Sequence, residues 1–241
     1  MDFENGLKNG FDVWKNNAAS FIVGCIVIFL PFVITIAATA LVSYIAATLL
    51  GSFLLAFGVS LISIVILFLV AFFVVIPLSF GLVHMAIKGA QGDKVEIKDV
   101  FYSFTSLHGY IRSLIFAFIV LLPFVILTLI SLIPLIGFFV LPLYPIIAFI
   151  AVFFLIFALY ICIMVPSKNI TYAVSESSNI AMENPLITLL LIVICLILNL
   201  IGTLLLFVGL FATVPITLVL TAFVLMELKP DIKDQQFICQ I

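Results

Sequence analysis

Three long uncharged stretches dominate the pattern of hydrophobic and polar positions along this chain. They lie between Lys15 and Lys88, between Arg112 and Lys168, and between Glu183 and Glu227, and none contains Asp, Glu, Lys or Arg. A helix needs about 20 apolar residues to cross the hydrocarbon of a bilayer. Each stretch is long enough for two crossings, so the pattern predicts three helical hairpins.

Glycine and proline residues divide each stretch near its middle, where a hairpin needs a turn. The predicted breaks are Gly51-Ser52, the segment from Pro134 to Pro145, and the stretch from Gly202 to Gly209. The six predicted spans are residues 18–48, 52–87, 113–133, 145–165, 185–205 and 209–227. The pattern therefore predicts six transmembrane helices.

A short amphipathic pattern precedes each hairpin. The apolar positions of the first are Phe3, Leu7, Phe11 and Trp14. Those of the second are Ile97, Val100, Phe101, Phe104 and Leu107, with Lys98, Asp99 and Ser103 between them. Those of the third are Val174, Ser177, Ile180 and Ala181. Spacing by three and four residues predicts helices that lie at the headgroup boundary on their apolar face.

These elements predict a single membrane domain over residues 1–241. Its parts are an interfacial helix (1–17), hairpin 1 (18–87), a cytoplasmic loop with an interfacial helix (88–112), hairpin 2 (113–166), an interfacial helix (167–184), hairpin 3 (185–228) and a cytoplasmic tail (229–241). The string LPFVI occurs at 30–34 and again at 122–126. Together with the repeated order of elements, this string suggests a threefold internal repeat.

Composition places the chain among integral membrane proteins. Hydrophobic residues make up 66% of 241 positions, charged residues 8%, and the mean hydropathy is +1.52. Soluble domains carry about 25% charged residues, so only a bilayer can solvate this much apolar surface. The fold class is therefore all-α and polytopic. A net charge of −2 gives no reason to expect nucleic acid as a partner.

The distribution of basic residues predicts the orientation. With six spans, all the Lys and Arg residues fall on one side of the membrane: Lys8, Lys15, Lys88, Lys94, Lys98, Arg112, Lys168, Lys229 and Lys233. Excess Lys and Arg marks the cytoplasmic side. We therefore expect a cytoplasmic-membrane protein with both termini in the cytoplasm.

Four segments carry a resemblance to a known family. They are GFDVWKNNAASF, IPLSFGLVHMAIKGAQGDKVEIKDVFYSF, AVSESSNIAMENPLITLLL and GLFATVPITLVLTAFVLMEL, in this order. The chain resembles a broad family of six-helix prokaryotic membrane proteins of unknown function, which is similar to the membrane domain of some glycerophosphodiester phosphodiesterases. The resemblance implies a membrane domain. It implies no catalysis, because the sequence has no phosphodiesterase domain.

Two features within the spans are candidates for a polar or packing site. Asn199, in LILNLIG, is the most polar residue near the middle of a span, and its amide needs a partner in the bilayer. It either bonds a neighbouring helix or lines a cavity. Small residues recur every fourth position on the first span, at Thr35, Thr39, Ser43, Ala47 and Gly51. This seam permits close helix approach, or else forms a mildly polar conduit.

The sequence offers weak enzyme signals. It contains no HExxH, GxSxG or P-loop motif. The candidate ligands for a metal ion are His84, His108, Asp93, Glu96 and Asp99. Acids spaced by three with lysines between them are more typical of a solvated face. Cys25, Cys162, Cys195 and Cys239 lack metal-ligand spacing, so we expect neither a metal nor another cofactor.

The remaining polar and aromatic candidates are interface anchors. They are Trp14, Phe101, Tyr102 and Arg112, the only arginine, which we expect to reach anionic headgroups. The favoured function is a non-enzymatic membrane scaffold or accessory subunit that binds lipids, protein partners or a second copy of itself. The alternatives are a permease or channel-like protein for a small or apolar solute, and a lipid-modifying enzyme.

Overall fold

The structure, a computed structural model, describes residues 3–50, 53–131, 142–205 and 208–232. Within these ranges the chain is helical and contains no strand. The helices are α1 (Phe3–Asn16), α2 (Ala18–Leu50), α3 (Phe53–Val70), α4 (Ile76–Gln91), α5 (Leu107–Ser131), α6 (Leu143–Leu155), α7 (Ala158–Met164), α8 (Ile170–Glu183), α9 (Pro185–Leu204) and α10 (Leu210–Leu228). A π-helical turn (Ala71–Val75) joins α3 to α4, and a 3₁₀ helix (Ile97–Phe104) precedes α5.

Six segments of the described chain are long and apolar enough to cross a membrane. They are Ala18–Ile45, Ile62–Gln91, Leu107–Ser131, Leu143–Met164, Pro185–Leu204 and Leu210–Leu228. The predicted all-α polytopic fold with six spans is thereby confirmed. The third span begins at Leu107 instead of residue 113 because α5 continues through the polar Tyr110 and Arg112.

The spans differ greatly in length. Helix α2 has 33 residues, whereas α9 and α10 have 20 and 19. At 1.5 Å per residue, α2 is about 50 Å long and the last two helices are each about 30 Å long. Hairpin 1 is thus much longer than hairpin 3.

Helix α10 lies at the centre of the bundle. Half of its most apolar window is buried, whereas the corresponding fractions for the other five spans lie between 11% and 33%. Helix α1 packs against α10, where a Cβ on Gly6 or Gly10 would come within van der Waals distance of Leu220 and Ile216. The first predicted interfacial helix is therefore also part of the bundle.

Pro77 explains a contact between α5 and the π-helical turn. Proline has no N–H, so the carbonyl of Phe73, four residues earlier, lacks its usual intrahelical donor. The hydroxyl of Tyr110 on α5 donates to this carbonyl at 3.0 Å. A side chain from another helix thus replaces the missing backbone hydrogen bond.

The loop segment differs from its prediction. An α-helix over about 95–108 was expected, with its polar positions in water. The structure instead has an eight-residue 3₁₀ helix in which Asp99, Val100 and Ser103 are buried against the protein, while Phe101 and Phe104 are exposed. The close approach requires Gly81 on α4, because a methyl group there would overlap the carbonyl of Val100.

Helix α8 also packs more deeply than its pattern indicated. The face containing Ser177, Ile180 and Ala181 is buried in the protein, instead of lying free at the headgroup boundary. The Ser177 hydroxyl donates at 2.7 Å to the carbonyl of Phe154, just before the break between α6 and α7. Lys229, at the end of α10, forms an ion pair with Glu176 of α8 at 3.1 Å.

Candidate functional site

An apolar groove of about 440 Å³ lies between hairpins 2 and 3. Its walls come from α5, from α6 and α7, and from the facing sides of α9 and α10. The lining residues are Phe116, Val120, Phe124, Ala148, Ala151, Val152, Leu155, Ile156, Leu159, Tyr160, Cys195, Thr217, Leu218 and Thr221. Val152 is exposed at the surface of the molecule, so the groove opens toward the surrounding lipid.

The hydroxyl groups that line this groove are already bonded to backbone carbonyls. Tyr160 donates to the carbonyl of Leu218 at 3.1 Å. Thr217 donates to Val214 and Thr221 to Thr217, both at 2.8 Å. Because each hydroxyl proton is engaged, the groove presents a mainly apolar surface to a ligand.

Asn199 lies next to the groove, between α9 and α10. Its Nδ2 atom is 3.5 Å from Thr217 Oγ1 on the neighbouring helix, at the long limit of a hydrogen bond. Its Oδ1 atom is buried and has no hydrogen-bond partner among the described residues. The contact joins the two helices, as the predicted interhelical hydrogen bond would, but at this distance it is weak. The role of Asn199 therefore stays a prediction.

The small-residue seam on α2 faces α3 in its described part. Thr35 and Thr39 line a cavity of about 410 Å³ together with Ile62 and Ile66. Both hydroxyls bond to their own helix, Thr35 to Pro31 at 2.7 Å and Thr39 to Ile36 at 3.0 Å. Ser43 is half-buried. The side chain of Ala47 and the whole of Gly51 lie outside the residues that the structure describes.

A second apolar cavity, of about 290 Å³, lies on the other side of α10. Cys25 and Phe29 of α2, Leu82 of α4 and Val214 of α10 are among its lining residues. Leu159 and Leu218 line both this cavity and the apolar groove. The two leucines therefore form the partition between two apolar spaces.

Arg112 holds the start of α5 against the end of α7. Its guanidinium donates to the carbonyls of Pro166 at 2.6 Å and Val165 at 3.2 Å, and to Cys162 Sγ at 3.1 Å. Carbonyls at a helix C-terminus lack intrahelical donors, so the arginine caps α7. This structural role adds to the interface anchoring that was predicted for Arg112.

A polar pocket of about 210 Å³, which we call the cationic pocket, adjoins this arginine. Its lining residues are His108, Ile111, Arg112, Ile115, Pro166, Ser167, Lys168, Asn169 and Ile170. It lies where two candidate spans end, because α5 begins at Leu107 and α7 ends at Met164. Lys168 was not among the predicted site residues, although it is the only basic residue between the second and third hairpins.

The fold places the two candidate histidine ligands in different surroundings. Among the described residues no group of three His, Cys, Asp or Glu side chains lies close enough to hold a metal ion. The ring of His84 stacks on Tyr102, with centroids 4.1 Å apart, whereas His108 lines the cationic pocket. Asp99 is occupied by Lys88 at 2.9 Å.

The Asp99–Lys88 pair ties the 3₁₀ helix to α4. Burial raises the pKa of the Asp99 carboxyl, but hydrogen bonds from Lys88 and from the backbone N–H of Glu96 outweigh burial, so the pKa lies below its ordinary value. A carboxyl with a depressed pKa stabilises the fold above the unfolded pKa of about 4. That contribution is lost as the pH falls through the folded pKa.

The predicted anchors take different positions. Phe101 is exposed, whereas Trp14 is half-buried, with its Nε1 atom enclosed and unpartnered among the described residues. Tyr102 is half-buried against His84. Cys25, Cys162 and Cys195 are free thiols, and Cys239 lies outside the described ranges.

Comparison of the chain with protein families, with curated proteins and with solved structures finds no match. The site must therefore be interpreted from its own geometry.

Proposed function

We propose that this multi-pass membrane protein is a non-enzymatic scaffold or accessory protein that holds a lipid chain in the apolar groove. The observation that carries the proposal is the groove itself, which is apolar, adjoins the centre of the bundle and opens at Val152. An apolar cavity excludes water, because water finds no hydrogen-bond partners there, and it can bind an apolar molecule; lipid chains are the apolar molecules that surround the groove.

The hydroxyl groups that line the groove support a binding role over a transport role for a polar solute, although the Asn199 Oδ1 atom next to the groove has no partner among the described residues. The hydroxyls of Tyr160, Thr217 and Thr221 are engaged by backbone carbonyls. Transport of an ion or a polar solute needs free polar groups near the middle of the membrane. The partners of a scaffold would then be lipids, other membrane proteins or a second copy of the chain.

Substitution of Ala151 by Phe tests the proposal. The larger side chain enters the groove, so it should displace lipid without disturbing the buried core. The measurement is mass spectrometry of the lipids that remain bound after extraction into polymer nanodiscs. We expect the variant to retain at least one lipid fewer per protein, with an unchanged melting temperature.

Ala40→Phe is the matched control. Ala40 is exposed on α2 and is not part of the groove, so the same increase in volume should leave bound lipid unchanged. If Ala151→Phe retains as much lipid as the unmodified protein, the groove does not hold lipid and the proposal fails.

The second candidate is a permease for an apolar solute, and one observation favours it. Leu159 and Leu218 separate the groove from the second cavity. Movement of these two side chains would join the spaces into one apolar path. Leu218→Ala should then increase the flux of an apolar solute into proteoliposomes, whereas a scaffold would show no flux in either form.

A further inference from the structure

The cationic pocket contains positive charge that the described residues do not balance. The lining includes Arg112, Lys168 and His108 but neither Asp nor Glu. On the loop between hairpins 1 and 2, Lys88 is paired with Asp99 at 2.9 Å and Lys98 with Glu96 at 2.6 Å. Within the described ranges, Arg112 and Lys168 form no such ion pair. The pocket therefore favours an anion from outside the chain.

The donors in the pocket suit a phosphate group. Arginine has five N–H donors, and Arg112 directs hydrogen bonds to three acceptors in the chain, which leaves donors for a ligand. Lys168 adds a second charge, and its ammonium lies 5.9 Å from the centre of the Tyr172 ring. Arginine and lysine together are the usual protein partners of phosphate oxygens.

The start of α8 adds backbone donors to the same wall. Asn169 and Ile170, which line the pocket, are the N-cap and first residue of this 14-residue helix. The Asn169 side chain makes no capping hydrogen bond. The first N–H groups of a helix and its dipole attract negative charge, so they reinforce the attraction exerted by Arg112 and Lys168.

The pocket and the apolar groove follow one another along α5, although they share no lining residue. Arg112 lies one helical turn before Phe116, and Val120 and Phe124 follow on the same face. From Arg112 to Phe124 the helix rises about 18 Å. Charge at one end, and at the other an apolar groove that extends about 12 Å along α5 from Phe116 to Phe124, match the two parts of a phospholipid.

We propose that the cationic pocket and the apolar groove form one site for an anionic phospholipid. Arg112, Lys168 and the first turn of α8 bind the phosphate, and the groove takes an acyl chain. This inference rests on the proposed function, because it requires the groove to hold lipid. It adds the class of lipid and the residues that select its headgroup.

Competition between two lipids with identical acyl chains tests the headgroup site. The protein is placed in nanodiscs with equal amounts of dioleoyl phosphatidylglycerol and dioleoyl phosphatidylcholine, and the retained lipids are counted by mass spectrometry. We expect phosphatidylglycerol to be preferred. Lys168→Gln should lower this preference about fivefold, the equivalent of the ~1 kcal/mol that one basic residue contributes near an anionic lipid surface.

Lys94→Gln is the matched control, because Lys94 is an exposed lysine on the same side of the predicted topology and does not line the pocket. It should leave the preference unchanged. Lys168 is preferred to Arg112 for the test since Arg112 also caps α7, so its loss would disturb the fold. An equal decrease in both lysine variants would mean general surface attraction and would overturn the site.

A separate measurement distinguishes the lipid phosphate from free phosphate. If free phosphate is the ligand, inorganic phosphate alone should raise the melting temperature in detergent, and the lipid preference should be absent. That result overturns the phospholipid site. Loss of lipid in Ala151→Phe with an unaltered preference in Lys168→Gln would leave the proposed function standing and refute the headgroup inference alone.

Discussion

Three polar side chains in this bundle reach across to backbone carbonyls at irregularities in other helices. Tyr110 donates to the carbonyl of Phe73, four residues before Pro77. Arg112 donates to the carbonyl of Pro166 after the end of α7, and Ser177 donates to that of Phe154 near the end of α6. An unpaired carbonyl in hydrocarbon costs several kcal/mol, because there is no water to bond it. A single polar side chain at each irregularity therefore makes the irregularity tolerable.

Asn199 offers the sharpest prediction at the scale of one residue. If its amide bridges α9 and α10, Asn199→Leu and Thr217→Val should be coupled in a double-mutant cycle by about 0.6 kcal/mol, the average for interhelical hydrogen bonds in membranes. The 3.5 Å separation argues for this lower value. The measurement is the free energy of unfolding in detergent for the two single variants and the double variant.

Thiol labelling of a cysteine at position 199 is the measurement that could contradict the bridging role of Asn199. Asn199→Cys should react slowly with a water-soluble thiol reagent, because the site lies between packed helices. Rapid labelling together with strictly additive substitutions would place Asn199 in a wet cavity. The permease would then become the better explanation of the molecule.

Some of these polar residues could be identified from the sequence, but their hydrogen-bond partners could not. Asn199 and Arg112 are conspicuous because polar groups are so scarce in the chain. Their partners, Thr217 and the carbonyls of Val165 and Pro166, depend on which helices meet. One sequence pattern could have indicated that α9 and α10 meet along polar faces. Cys195 and Asn199 on α9 are four residues apart, and Thr217 and Thr221 on α10 have the same spacing.

At the scale of the helix, the hydrogen bond from Tyr110 of α5 to the carbonyl near Pro77 leads to a testable prediction. Tyr110→Phe should destabilise the protein by about 1 kcal/mol, because the carbonyl of Phe73 would lose its donor. The measurement is the shift in unfolding free energy. Tyr144→Phe is the control: its hydroxyl contacts Thr128 Oγ1 at 3.0 Å, so its loss leaves no carbonyl unpaired.

A second substitution, at Pro77, should restore a hydrogen-bond donor to the carbonyl that Tyr110→Phe leaves unpaired. Pro77→Ala supplies a backbone N–H close to the same carbonyl, so the effect of Tyr110→Phe should shrink in this background. If Tyr110→Phe costs equally much in the unmodified protein and in the Pro77→Ala variant, the hydroxyl acts through packing and the explanation is wrong.

The helices differ in how far the sequence could predict them. The six apolar spans could be predicted from the sequence because hydrophobicity is a local property, whereas the predicted break at Gly51-Ser52 lies outside the described residues. The 3₁₀ helix was predicted as an α-helix with Ser103 in water. Its form depends on contact with Gly81 of α4, and no local pattern encodes such a contact.

For the whole molecule, the orientation remains a prediction that reporter fusions can check. Fusions after Gly10 and at the C-terminus should both report the cytoplasm, because six spans then place every Lys and Arg there. Fusion within residues 132–141, between the third and fourth spans, should report the opposite side. Opposite locations for the two termini would require an odd number of spans and would refute the topology.

The unequal hairpins have a consequence for the bilayer around the protein. The hydrocarbon layer is about 30 Å thick, which fits α9 and α10 but is far shorter than the roughly 50 Å of α2. If its whole uncharged length lies in the hydrocarbon, α2 leans by about 50° or the lipid layer beside it is thicker. One flank of the protein thus matches an ordinary membrane and the other is mismatched. We expect longer-chain lipids to gather beside hairpin 1, so that the protein sorts into, or creates, thicker patches of membrane.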